Sequence, residues 1–122
     1  MGTIDDYLAG LDATDAAVIA HTYDVALEVA PEAVQGFGYG MPALVYRGKS
    51  LLSVMRAKRH FGMYPFSPTA IIAVLPLLDG VDHAKGTISF TEPLPDDTVR
   101  ALVTARVAEI DCRPALSAAT PG

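Results

Sequence analysis

Little in this 122-residue chain points to an extracellular or membrane life. It has one cysteine, Cys112, so no internal disulfide can form, which fits a reducing compartment. Its longest apolar run, residues 70–78, spans nine positions and contains Pro76, far short of the ~20 needed to cross a bilayer. The opening Met-Gly-Thr-Ile-Asp-Asp-Tyr is acidic where a secretory leader would be basic, and no apolar segment follows it. These features predict a cytoplasmic protein with no membrane partner. Charged residues are also scarce, at 19% against 51% hydrophobic, with a mean hydropathy of +0.31. That balance excludes a disordered chain. At this length one domain is expected, burying roughly two thirds of its unfolded surface. The net charge of −5 repels polyanions, so nucleic acid is not an expected partner.

Catalytic and metal motifs are missing too. His21, His60 and His83 have no metal-ligand spacing, and H-E-x-x-H, C-x-x-C and EF-hand patterns do not occur. No G-x-S-x-G elbow is present, and Cys112 has only Arg113 beside it to activate a thiolate. Gly36-Phe37-Gly38-Tyr39-Gly40 is not a dinucleotide fingerprint, because the third glycine would fall at Met41 and Pro42 breaks the required strand-to-helix passage. Those glycines are expected to let the backbone turn sharply or to let a ligand approach. No catalytic residues, cofactor or metal ligands are assigned.

What is present has a readable order. Thr3, with Asp6 completing a capping box, predicts a short first helix that Gly10 stops. Thr14 predicts the cap of a second helix, with Val18, Thr22, Val25 and Val29 beside Ile19, Tyr23, Ala26 and Ala30 on its apolar face, ending near Pro31. Strands are predicted at residues 43–46, 51–57 and 60–64, the first two joined through Arg47-Gly48-Lys49-Ser50. Ser67-Pro68 predicts a helix over residues 69–75, kinked or ended by Pro76. A strand follows at 87–90. Pro95-Asp96-Asp97 opens a last helix with Val99, Leu102, Val103 and Ile110 on one stripe. Residues 113–122 show no periodicity and are expected to form a flexible tail after a single domain over residues 1–112. The pattern predicts an α+β fold, an antiparallel meander packed against N- and C-terminal helices.

Charge is unevenly placed. Residues 1–32 carry Asp5, Asp6, Asp12, Asp15, Asp24, Glu28 and Glu32 with no lysine or arginine, whereas residues 47–60 carry Arg47, Lys49, Arg56, Lys58 and Arg59 with no carboxylate. Either the basic hairpins serve an anionic ligand, or they protect strand edges and attract the acidic helices.

Four stretches occur together in a specific order: Tyr39-Gly40-Met41-Pro42-Ala43, residues 57–65 (Ala-Lys-Arg-His-Phe-Gly-Met-Tyr-Pro), Lys85-Gly86-Thr87-Ile88-Ser89-Phe90, and Pro93-Leu94-Pro95. Preceded by Thr3-Ile4-Asp5-Asp6-Tyr7, they resemble the YdhG-like family, the domain of unknown function 1801, over about residues 3–108. The resemblance implies the same α+β fold. It also implies an iron-chaperone role of the frataxin-like kind attached to part of the family, which in this chain would use Asp5, Asp6, Glu28 and Glu32. Among the motif residues, Tyr39, Met41, Lys58, His60, Tyr64 and Lys85 combine aromatic walls with cationic tips beside Gly40 and Gly86. These features suit a non-enzymatic cleft for a small anionic ligand or partner. The alternatives are that Tyr39 and Tyr64 edge the core while the lysines pair with carboxylates, or that His60 is the acid or base of an enzyme acting on an anionic metabolite. This chain departs from the family around Pro76, where the apolar stripe is too wide for one small core. Ile71, Ile72, Leu75 and Leu78 are therefore expected to form a homodimer contact.

Overall fold

Both N-terminal helices start earlier than their hydroxyl residues suggest, the first by one residue and the second by two. In the computed structural model, which describes residues 2–119 and the side chains of residues 2–112, α1 (Thr3–Ala9) is preceded by Gly2. The Gly2 amide donates to Asp5 Oδ2 at 3.2 Å. Thr3 is not the cap because its hydroxyl donates to the Gly36 carbonyl, tying α1 to a strand. Likewise α2 (Ala13–Val29) is capped by Asp12, whose carboxylate accepts from the Thr14 amide at 3.0 Å. Its buried residues Ile19, Thr22, Tyr23, Val25 and Ala26 follow the expected face, and it ends before Pro31 as expected.

Six strands follow: β1 (Val34–Gly38), β2 (Met41–Tyr46), β3 (Lys49–Arg56), β4 (Phe61–Tyr64), β5 (Asp82–His83) and β6 (Ile88–Phe90). They form one antiparallel sheet in the order β1-β2-β3-β4-β6-β5. β1 corrects the expectation of a turn at Gly36 and Gly38, whereas Gly40 does turn the chain. Glycine is needed at the first two for close approach: a Cβ at Gly36 would lie 2.9 Å from a Val45 methyl, and one at Gly38 2.6 Å from the Phe66 ring. The turning is done by two-residue hairpins, Tyr39-Gly40 (φ 51 and 79°) and Arg47-Gly48 (φ 52 and 78°), whose paired left-handed residues match the strand twist.

Ser67 caps α3 (Pro68–Ala73), its hydroxyl accepting from the Ala70 amide at 3.1 Å. Pro76 ends the helix in a 3-10 turn, Leu75–Leu77. The last helix, α4 (Asp96–Ala119), starts where Pro95-Asp96-Asp97 directs. Its backbone stays helical past residue 112, where the sequence suggested a tail, since the alanines at 115, 118 and 119 favour helix. Residues 120–122 of that expected tail lie outside the described residues.

Register fixes the faces. Val54 pairs with Met63 and Arg56 with Phe61, so the four share one face. Arg56 on that face reaches Asp15 of α2 at 3.0 Å and stacks over the Phe61 ring at 4.8 Å. The attraction between the acidic helices and basic hairpins is thus realised at this pair. The core lies between this face and α2 and α4, with Ile19, Leu52, Val54, Met63, Leu102 and Ile110 almost wholly buried. The β2–β3 register shifts between Leu44 and Val45, and the pairing ends at Leu44 and Leu52. Two phenols take over there: Tyr23 accepts from the Val54 amide and Tyr7 from the Arg56 amide, each at 2.8 Å. The Ser53 hydroxyl of β3 donates to the Pro42 carbonyl of β2 at 2.7 Å.

Of the residues expected at a dimer contact, Ile71 and Leu78 are 3% exposed and belong to the core. Positions 70, 71, 74 and 78 recur at helical spacing, so one side of this segment packs inward. Ile72, Leu75 and Leu77 remain exposed.

Candidate functional site

Ser53 pairs with Tyr64, which therefore projects from the sheet face opposite α2. Gly62 makes room for it, since a Cβ there would lie 2.9 Å from the Tyr64 hydroxyl. On the same side, the hairpin at Tyr39-Gly40 carries a tyrosine ring that is 89% exposed. Its centroid lies 5.4 Å from that of Phe66, the planes inclined by 45°. Phe66 itself has φ 60° and leads into the Ser67 cap of α3. Tyr39, Met41, Tyr64, Phe66, Pro68 and Gly86 line a hollow of about 210 Å³.

Three of the six expected site residues, Tyr39, Met41 and Tyr64, thus share one hollow. His60 does not: it lines a separate hollow of about 470 Å³ with Asp82, Ser89, Glu92 and Leu94. Four residues of extended chain put it ~13 Å from Tyr64. Its carbonyl accepts from the Ala57 amide and from Arg56 Nη1, both at 2.8 Å, anchoring the turn at the other end of β4. Lys58 and Lys85 are exposed and line neither hollow, although Lys85 adjoins Gly86 in the chain. The expectation that cationic and phenolic tips meet around one cavity is corrected to a phenol-and-thioether hollow with a cation beside its wall in sequence. Phe66 was missed; its position immediately before Ser67-Pro68 could have marked it as the residue set at the mouth of α3.

Replacing Gly38 by alanine tests how firmly that wall is held. The added methyl would meet the Phe66 ring at 2.6 Å and Ser50 Oγ at 2.7 Å. A destabilisation of about 1–3 kcal/mol by urea denaturation is expected, with a changed Phe66 environment by NMR. An unaltered midpoint would show that Phe66 swings away freely.

The carboxylates expected for iron do not converge. Asp5 accepts from the Gly2 amide and from Gln35 Nε2 at 3.2 Å, while Glu28 pairs with Arg100 at 3.2 Å. Among the described residues no group of three or more His, Cys, Asp or Glu side chains is placed to hold a metal. No helix of the described residues is long and apolar enough to cross a membrane.

No family model and no curated protein matches the sequence. Among solved structures, the chain is similar to a crystal structure of YdhG, a protein of the domain of unknown function 1801 family from Bacillus subtilis. The TM-score is 0.78 at 16% identity, covering 91% of this chain and 94% of that one. The chain has the α+β fold of that YdhG structure, the fold that its sequence resemblance implied.

Proposed function

We propose that this YdhG-like domain is a non-enzymatic binding module that holds a small ligand with a flat apolar body and an anionic group in the hollow beneath Tyr39. The observation that carries this reading is Tyr39 itself. A hairpin position at φ 51° favours asparagine or glycine, and a tyrosine there adds backbone strain. Packing returns little, since the ring meets Phe66 at a 45° tilt and 89% of the residue faces solvent. Backbone strain retained at an exposed aromatic supports a binding role for it. A planar body would lie on Tyr39 and Phe66 and against the Met41 thioether, while the Tyr39 and Tyr64 hydroxyls and the Lys85 ammonium would serve its charge.

Fluorescence titration with anilinonaphthalene sulfonate, an aromatic anion, tests this. Saturable binding is expected, weakened about tenfold by Tyr39→Ala and about threefold by Lys85→Ala. Binding that is absent, or indifferent to Tyr39→Ala, would refute it.

A further inference from the structure

A second surface lies on the far side of β4, where the hollow beside His60 continues into another of about 800 Å³ by sharing Gly80, Val81 and Asp82. Apolar side chains run along it: Leu75 lines one hollow, Leu94 the other and Val81 both. Leu75 is 39% exposed and continues into exposed Leu77 and Ile72, more apolar surface than isolated side chains would leave. The rim is acidic: Asp79, Asp82 and Glu92 line the groove, no lysine or arginine does, and none of the three makes an ion pair with another described residue. The sheet also ends here. β5 pairs only with β6, and the Ala84 amide donates to the Thr87 carbonyl at 2.8 Å. By antiparallel alternation the His83 amide and carbonyl then point away from β6, toward the open edge.

We propose that this groove docks an extended, basic peptide segment of a partner protein, in which apolar side chains alternate with lysine or arginine. The apolar side chains would seat on Leu75, Val81 and Leu94, the cations would meet Asp79, Asp82 and Glu92, and the peptide backbone would extend the sheet at His83. Charge favours this occupant over a two-fold pairing of this face with its own copy, because two acidic rims brought together would repel.

Fluorescence anisotropy with a labelled hexapeptide alternating lysine and leucine tests the proposal. Saturable binding is expected, weakened about tenfold by the double variant Asp82→Asn/Glu92→Gln and about tenfold by Leu75→Ser. The matching glutamate–leucine peptide should not bind, and Tyr39→Ala should leave the affinity unchanged, which separates this groove from the aromatic hollow. Circular dichroism confirms that each variant is folded. Three outcomes overturn the proposal: no saturable binding, binding lost in the charge variant but untouched by Leu75→Ser, or a dimer in sedimentation that Leu75→Ser dissolves while the peptide fails to bind.

Discussion

Replacing Arg106 by alanine is expected to lower the unfolding free energy by about 2–3 kcal/mol, a larger loss than most single changes on this helix would bring. Arg106 sits on α4 with 6% of its surface exposed. Its Nε and Nη2 donate to the Ser50 carbonyl at 3.2 and 2.9 Å, and its Nη1 donates to Glu109 Oε1 at 2.7 Å. Ser50 lies on β3 opposite Val45 of β2 and outside the stretch of β3 that pairs with β4, which begins at Ser53, so the guanidinium ties α4 to this end of the strand. Truncation removes both donors and the cation that Glu109 faces, and it opens a void where the aliphatic stem packed. Glu109 is partly exposed, with 33% of its side chain accessible, so water recovers some of its share and keeps the loss below that of a fully buried pair. Arg106→Lys should restore less than half, because a single ammonium cannot reproduce the fork. Urea denaturation at unchanged slope gives the number. A loss under about 1 kcal/mol would mean that apolar contacts alone hold α4 on the sheet.

Arg106 also shows where the sequence was readable and where it was not. The stripe at Val99, Leu102, Val103 and Ile110 correctly gave the inward face of α4, and its spacing leaves position 106 on that same face. A buried cation in an apolar stripe was therefore visible in the spacing. Its partner was not, because the Ser50 carbonyl belongs to a strand 56 residues away. The same limit governs the candidate site. Local signals placed the Ser67 cap, the break at Pro76 and the Gly48 hairpin, each set by backbone chemistry within a few residues. β1 was hidden because its glycines mimic a loop, and only the Val45, Ser50 and Phe66 side chains that crowd them reveal a strand. Tyr64 and His60 looked like neighbours in the sequence, yet an extended strand carries them to different hollows. Around Pro76, the excess of apolar residues was legible, whereas their division into buried Ile71 and Leu78 and exposed Ile72, Leu75 and Leu77 needed the helix phase.

Beyond the end of the β2–β3 pairing, the Tyr23 phenol that takes up the Val54 amide makes stability fall at alkaline pH. Burial pushes the Tyr23 phenol from its ordinary 10.0 up to about 12, and the Val54 amide donating to its oxygen opposes this only in part. The folded state therefore holds the proton more tightly than the unfolded chain does. Below pH 10.0 both states are protonated and the phenol contributes its full stabilisation; from pH 10.0 to about 12 only the unfolded chain ionises, and about 3 kcal/mol is lost. Tyr23→Phe isolates this term from every other alkaline titration, which the two proteins share. Near neutral pH the variant should be less stable by about 1–3 kcal/mol, since the Val54 amide loses its acceptor within the core. Above pH 10.0 the gap should shrink as the wild type alone is penalised, and near pH 12 it should close or reverse. Unfolding free energies for the pair at a series of pH values give the difference directly. A difference that stays constant through this range would show that the phenol reaches water and that the sheet is not sealed at its seam.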